Sequence, residues 1–389
     1  MARYDARIIG AFEHPTRFAP DKSIVQLHAE CAIGAATDAG IDLSEVDGYF
    51  CAADAPGLGA LSVMDYLNLT PRYADATELG GASYVAHVGR AARAIDAGMC
   101  NVALITLAGK PRSANRSSSA AALAITGDRP ERDFEVPFGP TTPASYALCA
   151  ARHMHEYGTT SEQLAWIKVA ASRHAAHNPN AWLKDAVTVD DVMASPMIAS
   201  PLHRLDCCVV TDGGGALILA RPEVARTLRR PSIRVLGCGE GIKHQGAGEL
   251  DLTYTAAVRS GPVAFAESGL EHRQIQYASI YDSFTITVLL ALEDLGFCKK
   301  GQGGSFVAGG NLISGVGALP FNTDGGGLCN NHPANRGGMT KVIEAVRQLR
   351  GETHPAVQVP DCTFALCHGT GGALGTRHGC ATLILSRED

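Results

Sequence analysis

Four short stretches set polar or ionisable side chains at probable strand ends, three of them together with glycine. They are Gly80-Gly81-Ala82-Ser83, Tyr281-Asp282-Ser283-Phe284, the run from Asn322 through Gly325, Gly326 and Gly327 to His332-Pro333, and Cys367-His368-Gly369-Thr370-Gly371-Gly372. Glycine loops at strand ends are where α/β folds build sites. The first stretch opens SYVAHVGRAARAIDAG and has the form of a tight glycine turn feeding a helix, a usual seat for a catalytic nucleophile. It nevertheless offers only glycine, alanine and serine where a reactive cysteine would stand. The fourth stretch is not a dinucleotide fingerprint, because the third glycine of G-x-G-x-x-G falls on Leu374. Each candidate also has a plainer reading. A lone histidine such as His332 is usually a packing residue, Tyr281 fits an amphipathic core tyrosine, and His368 could titrate as a base or cap a turn. His153 and His155 alternate too closely for one helical face and lack a carboxylate cluster, so no metal site is expected, and His155 is a candidate pocket-lining residue. Cys207 and Cys208 read as core residues.

The elements that must position these stretches alternate short apolar runs with alanine-rich segments of helical period: ARIIGAF, IVQLHAECAIGAATDAG, VDGYFCA, ASYVAHVGRAARAIDAG, NVALITLA. That rhythm is βαβαβ, and the fold class is α/β with largely buried sheets covered by helices. DAGIDLSEVDGYF and ESGLEHRQIQYAS share one pattern, with Gly40 and Gly269 lying 229 residues apart (269 − 40) and Val46 and Ile275 at the same offset (275 − 46). A looser echo links GGASYVAHVGRAARAIDAGMCNVALI to GGLCNNHPANRGGMTKVIEAVRQLRG followed by CTFALCHG, again glycines, helix, glycine and strand. The spacing predicts two related halves, each helix ending at a glycine that can take the left-handed cap conformation. Residues 109–200 break the rhythm with a polar run, KPRSANRSSSAA, a proline-broken run, RDFEVPFGPTTPAS, and amphipathic helix. Such an excursion from a sheet usually serves as a lid or binding loop.

Composition narrows the function. With 389 residues, 46% hydrophobic and 19% charged, the chain can bury a large core. The net charge of −6 comes without any Lys/Arg run, which excludes nucleic acid and an acidic membrane surface as obvious partners. Twelve cysteines without a CxxC pair, together with the absence of a basic-then-apolar start, predict free thiols, no structural zinc and a reducing cytoplasm. The apolar runs are far too short to span a bilayer.

The order of these motifs over nearly the whole chain resembles the thiolase superfamily, closest to the sterol carrier protein-type thiolases and the related steroid side-chain aldolases. The resemblance implies two βαβαβαββ halves in a layered αβαβα arrangement. It divides the chain into an N-terminal half (1–108 plus 201–225), an inserted loop domain (109–200) and a C-terminal half (226–389). It places the family's nucleophilic cysteine on Gly81 and the motif serine on Ser83. The helix N-terminus there, which would stabilise a thiolate, could instead hold an oxyanion. The family's His-Asp-Cys-Phe motif reads Tyr281, Asp282, Ser283, Phe284, so its acid/base cysteine becomes Ser283. Proton transfer then falls to Tyr281 or a histidine. The Gly-His-Pro motif appears as Asn331-His332-Pro333 preceded by Asn322, and implies that His332 donates to the thioester oxygen. The final glycine motif implies a second oxyanion hole from the main chain around Gly369 and Gly371, with His368 beside it.

A chain of this kind is expected to act on acyl-CoA thioesters. Without a cysteine at position 81 the covalent thioester path closes, whereas retro-aldol cleavage through a stabilised enolate needs only the oxyanion groups and a base. The other readings are an acyltransferase with a displaced nucleophile, for which Cys329 and Cys367 lie nearest the motifs, and a non-catalytic subunit of a heteromeric complex. No tightly bound cofactor is expected, coenzyme A entering as part of the substrate. The resemblance also implies a homodimer and a small OB-fold zinc-ribbon partner protein.

Overall fold

The computed structural model describes residues 4–115, 136–139, 141–228, 230–244, 249–333 and 337–388. The apolar runs become β1 (Arg7–Glu13), β2 (Gly48–Cys51), β3 (Tyr73–Ala76), β4 (Val102–Gly109), β7 (Gly213–Ala220), β8 (Ile233–Lys243), β9 (Tyr277–Ile280), β10 (Phe364–Gly372) and β11 (His378–Arg387). A separate ribbon holds β5 (Met197–Ala199) and β6 (Leu202–His203). The longer helices are α1 (Ile24–Ala39), α2 (Ala60–Tyr66), α3 (Ser83–Asp96), α4 (Thr142–Tyr157), α5 (Ser161–Ala175), α6 (Ala257–Ser268), α7 (Thr285–Asp294) and α8 (Gly338–Arg350).

The repeat read from the sequence is present in the fold. Helices α1 and α6 end at Gly40 (φ 74°) and Gly269 (φ 68°), both left-handed. A 3-10 turn follows each, Leu43–Glu45 and His272–Gln274, and then β2 and β9 begin at Gly48 and Tyr277. All three features keep the offset of 229 residues (269 − 40, 272 − 43, 277 − 48). The strands form one mixed sheet in the order β3-β2-β4-β7-β1-β8-β11-β10-β9. Read outward from the central β1–β8 pair, both sides repeat one order: last strand of the half, then fourth, then second. The third-strand place beside β9 is marked only by a parallel bridge between Ala278 and Phe321.

Among the described residues the two half-sheets pair only through Arg7–Arg234 and Ile8–Ile233. Beyond that seam α3 and α8 pack between them and touch strands of both halves, while α1 covers β1, β4 and β7 and α6 covers β8 and β11. This makes five layers, α-β-α-β-α. A helix lying between two sheets is buried over most of its surface, and on α3 only the narrow stripe of Arg90, Arg93 and Asp96 reaches solvent. Tyr84, Val85, Val88, Ala91, Ala92 and Ile95 of α3 are buried around its circumference, and Gly89 comes so near β8 that a Cβ there would stand 2.7 Å from Cys238 Sγ. Helix α8 buries even Lys341, Glu344 and Arg350, which therefore need partners.

Strands β4 and β7 are antiparallel neighbours, yet more than a hundred residues separate them in the chain (213 − 109). The chain leaves the sheet there for α4, α5 and the β5–β6 ribbon. Residues 116–121, 132–135 and 140 of the polar and proline-broken runs lie outside the described residues. Helix α4 packs on α7, and α5 packs on α7 and on the helical turn Gly326–Cys329, so the excursion sits on the stretches singled out in the sequence. Among the described residues no helix is long and apolar enough to cross a membrane.

Candidate active site

Strand β9 delivers Tyr281, and Asn322 fixes where the strand stops. In a left-handed conformation (φ 41°), the Asn322 side chain accepts from Ile280 N (2.9 Å) and donates to Ile280 O (2.8 Å). One amide thus does the work of a neighbouring strand, and Asn is among the few residues that tolerate this φ. Tyr281 N then donates to His368 O (2.9 Å), and the ring turns toward the central helices. Its hydroxyl lies 2.7 Å from His332 Nε2.

Gly326 and Gly327 let a carboxylate in, while Gly325 lets Ala175 of α5 approach. Asp282 accepts from Gly327 N (2.7 Å) and Leu328 N (3.1 Å), capping the turn 326–329, and a Cβ on Gly326 (φ 59°) would stand 2.2 Å from Asp282 Oδ2. Lys341 Nζ of α8 donates to the same carboxylate (3.1 Å) with both side chains buried. Burial works against the ammonium, but the charges of Asp282 and Asp324 outweigh it and raise the Lys341 pKa. From the excursion, Lys168 Nζ holds Leu328 O (2.7 Å) and Cys329 Sγ (3.1 Å).

That turn leads into His332, whose N–H donates to Thr211 Oγ1 (2.9 Å). Thr211 donates to Asn331 Oδ1 (2.7 Å), and Asn331 Nδ2 donates to Glu13 Oε1 (3.0 Å). The histidine is therefore braced from β1 and from the entrance to β7, in the other half of the molecule. Burial pulls its pKa down to about 4, with Lys341 adding to the effect and Asp282 opposing it. At neutral pH it is an uncharged imidazole, bonded at Nε2 to Tyr281 and, among the described residues, without a partner at Nδ1.

Position 81 has no room for a side chain. A Cβ built on Gly81 would lie 2.4 Å from Tyr281 Cε2, 2.7 Å from Tyr281 Cζ and 2.5 Å from Thr370 O. The space beside the α3 N-terminus is filled by the tyrosine ring. Gly80 (φ 57°) lies against Gly371, where a Cβ would come within 2.8 Å of Gly371 Cα.

The stretch Cys367–Gly372, expected as a glycine loop, is instead the end of β10. It pairs with β11 as far as Gly372–His378, whereas parallel β9 pairs only as far as Ile280–His368. Because β10 outlasts β9, its main chain from Gly369 to Gly372 is an unpaired strand edge on that side, and residues 370–372 face the pocket.

The pocket is lined by Gly80 and Gly81, by Tyr281, Ser283 and Phe284, by His332, and by Thr370, Gly371 and Gly372. Of the residues chosen from sequence, Tyr281, Ser283, His332, Gly81 and Gly371 come together there. Ser83, Asn322, Asp282 and Gly369 lie behind the surface as supports. Ser83 Oγ accepts from Leu79 N (2.8 Å) and closes the glycine turn, while Gly369 allows β10 to approach Ala82 and Val85. His368 is not brought to the pocket. Its Nδ1 meets Thr382 Oγ1 (2.9 Å), which meets Ser260 Oγ of α6 (2.8 Å), so the ring belongs to the packing between sheet and outer helix. Burial lowers its pKa to about 3.

Sequence reasoning passed over Tyr146, Thr142 and, as a pocket residue, Cys208. Helix α4 carries the first two, and the signal available was its start, Thr141 capping Ala144 N with Pro143 in the first turn. Tyr146 stacks on Phe284 (centroids 4.3 Å apart) and bonds Ser283, and burial pushes its phenol well above the usual range. Cys208 lines the pocket, but burial, Cys207 and Asp282 hold its thiol far above the ordinary range. Neither Cys329 nor Cys367 reaches the pocket: Cys329 accepts from Lys168, and Cys367 Sγ points at Lys341 O. His153 is bonded to Thr159 (2.9 Å) and Glu293 (3.1 Å), and His155 is exposed rather than pocket-lining.

Residues 239–387 match the family model for a thiolase C-terminal domain. A steroid side-chain-cleaving aldolase from Thermomonospora curvata is 36% identical over 85% of this chain and 86% of its own. An acetyl-CoA acetyltransferase from Methanothermobacter thermautotrophicus is 32% identical over 96% of this chain and 97% of its own. The solved Ltp2-ChsH2(DUF35) aldolase superposes with a TM-score of 0.87 at 32% identity over 98% of both chains. The chain belongs to the thiolase superfamily, on the branch shared by sterol carrier protein-type thiolases and steroid side-chain-cleaving aldolases.

Proposed function

We propose that the protein cleaves the Cα–Cβ bond of a 3-hydroxyacyl-CoA by a retro-aldol reaction. Similarity alone does not choose between lyase and acyltransferase, since aldolase and acetyltransferase relatives are nearly equally similar. The observation that carries the choice is the Tyr281 ring, which stands where a side chain at position 81 would have to be and brings its hydroxyl to His332 Nε2. A covalent acyl-enzyme has no place at that position, and an acid/base pair occupies it.

In this reading the β-hydroxyl proton passes to Tyr281 Oη as the phenol proton moves to neutral His332 Nε2. The Cα–Cβ electron pair becomes the enolate of the departing acyl-CoA, the β-carbon becomes a ketone or aldehyde, and Cα is reprotonated by the same relay. The enolate oxygen lies against Gly81 and the unpaired edge of β10, where main-chain N–H groups serve as donors, those of Gly80, Ala82 and Ser83 being already bonded to Glu78, Leu79 and Gly80. His332 thereby acts through Tyr281 rather than donating to the thioester, because its Nε2 is already engaged.

The resemblance to a two-component aldolase supports a small OB-fold zinc-ribbon partner for the acyl-CoA. A homodimer is supported by β3, which among the described residues pairs with β2 alone and leaves its outer edge open beside Leu58, Leu61 and Tyr66, all exposed. We place the assembly in the cytoplasm on the free thiols.

The test is turnover of a 3-hydroxyacyl-CoA panel, with and without candidate partner, reading carbonyl product and shortened acyl-CoA. Tyr281→Phe should lower kcat by roughly 10²–10⁴-fold with KM little changed. A stable acyl adduct on any cysteine in intact-mass spectra, or full activity in Tyr281→Phe, would overturn the reading.

A further inference from the structure

A second cavity adjoins the catalytic pocket. The two share Gly80, Gly371 and Gly372, and the second continues past them to Leu79, Ile242 and Gly379. No side chain stands between the two cavities. Main chain touches main chain there, since a Cβ on Gly371 would lie 1.8 Å from Leu79 O. Gly379 forms the floor opposite Ile242 in the β8–β11 register, and a Cβ on it would be 3.6 Å from Leu79 Cδ2 and 3.7 Å from Ile242 Cδ1. The Leu79 and Ile242 side chains thus converge from two elements over a residue that contributes none.

The atoms facing this cavity are carbon almost throughout, although ionisable residues line it. Lys243 shows its stem, because its amine donates to Asp251 O and Tyr254 O. His378 turns its Nδ1 to Ala256 N (3.3 Å). Ile242, on a strand whose other residues are buried or half-buried, is 52% exposed at the lip. A large apolar side chain held half in water beside a carbon-lined hollow marks a binding surface rather than core packing.

Retro-aldol cleavage divides its substrate into an acyl-CoA, polar and anionic, and a carbonyl compound. A carbon-lined hollow suits only the second. We propose, building on the lyase reading above, that this cavity holds the apolar half of the substrate that leaves as ketone or aldehyde, and that Leu79 and Ile242 determine the size of skeleton accepted. The glycines at 80, 371 and 372 form the wall shared by the two cavities, and because none carries a side chain that wall is no taller than the main chain between the reacting carbons and that half.

Two 3-hydroxyacyl-CoA substrates test this, one with methyl and one with a bulky alicyclic group on the β-carbon. Neither Leu79 nor Ile242 belongs to the acid/base machinery, and Ile242 is exposed enough to accept a larger side chain. Ile242→Trp and Leu79→Trp should lower kcat/KM for the bulky substrate roughly 30-fold while leaving the methyl substrate within about 3-fold. Ile242→Val should change neither beyond that margin. An equal loss on both substrates, or none on the bulky one, overturns the proposal. If the parent protein cleaves neither, the lyase reading fails instead. The cavity is then read by calorimetric binding of the matching acyl-CoA pair lacking the hydroxyl, where the Trp variants should weaken only the bulky ligand and an unselective effect overturns the assignment.

Discussion

Replacing Gly81 by cysteine restores the residue that the thiolase motif would carry, and the structure makes that restoration costly. The new Cβ would lie 2.4 Å from Tyr281 Cε2 and 2.5 Å from Thr370 O, against a comfortable carbon separation of about 3.5–4.0 Å. Thr370 sits in a strand paired to β11, through Thr370–Cys380, and cannot yield by an ångström without breaking that register. The tyrosine ring must move, which parts it from His332 Nε2. Overpacking of this kind costs about 1–3 kcal/mol, and leaving the buried imidazole nitrogen unsatisfied adds about 1–3 kcal/mol. We therefore expect Gly81→Cys to lose about 2–6 kcal/mol of stability by denaturant unfolding, and to lose lyase turnover with it. In a Tyr281→Ala background only the Thr370 contact remains. The cost of adding the cysteine should then fall by at least about 1 kcal/mol, a coupling that a double-mutant cycle reads directly. Additive costs, or a Gly81→Cys protein as stable and active as the parent, would refute the claim that the ring occupies the side-chain space of position 81.

Stability should depend steeply on pH below neutrality. Burial first and foremost lowers His28, His368 and His378 to about 3 and His87, His174 and His332 to about 4. The unfolded chain binds protons at these sites as pH drops through about 6.5, while the folded chain does not until about 3–4, so the stability present above pH 6.5 is lost toward pH 4 at up to about 1.4 kcal/mol per unit for each histidine. Glu344, raised by burial and Asp324, opposes this with one proton, so a midpoint that stays level from pH 6.5 to 4.5 would contradict the buried, neutral histidines. For the proposed dimer, Leu61→Arg with Tyr66→Arg should halve the sedimenting mass and leave the helical spectrum unchanged, whereas an unaltered mass would remove the open edge of β3 from the interface.

Local pattern made much of this protein legible in its sequence. Two repeats of one helix–glycine–turn–strand unit at an offset of 229 residues (269 − 40) predicted the paired half-sheets, because each unit closes on a glycine that alone enters the left-handed region without strain. The motif order also picked out Tyr281 and His332, which meet at 2.7 Å although 51 residues separate them. The division of labour within the motifs was not legible. Asn322, Asp282, Ser83 and Gly369 read as site residues yet brace the backbone, and His368 sits one packing layer away, because the same residue types serve as ligands or as internal hydrogen-bond partners according to which way the chain turns them.

What the sequence determined by itself was the class of fold, the family and the places where chemistry could stand, since periodicity, glycine spacing and capping are properties of a few neighbouring residues. Only the tertiary structure decided that the ring of Tyr281 fills the space of position 81, that β10 outlasts β9 to leave an open edge, and that Tyr146 from the excursion closes the pocket. Those facts depend on distances between segments far apart in the chain, which packing fixes and no local pattern records.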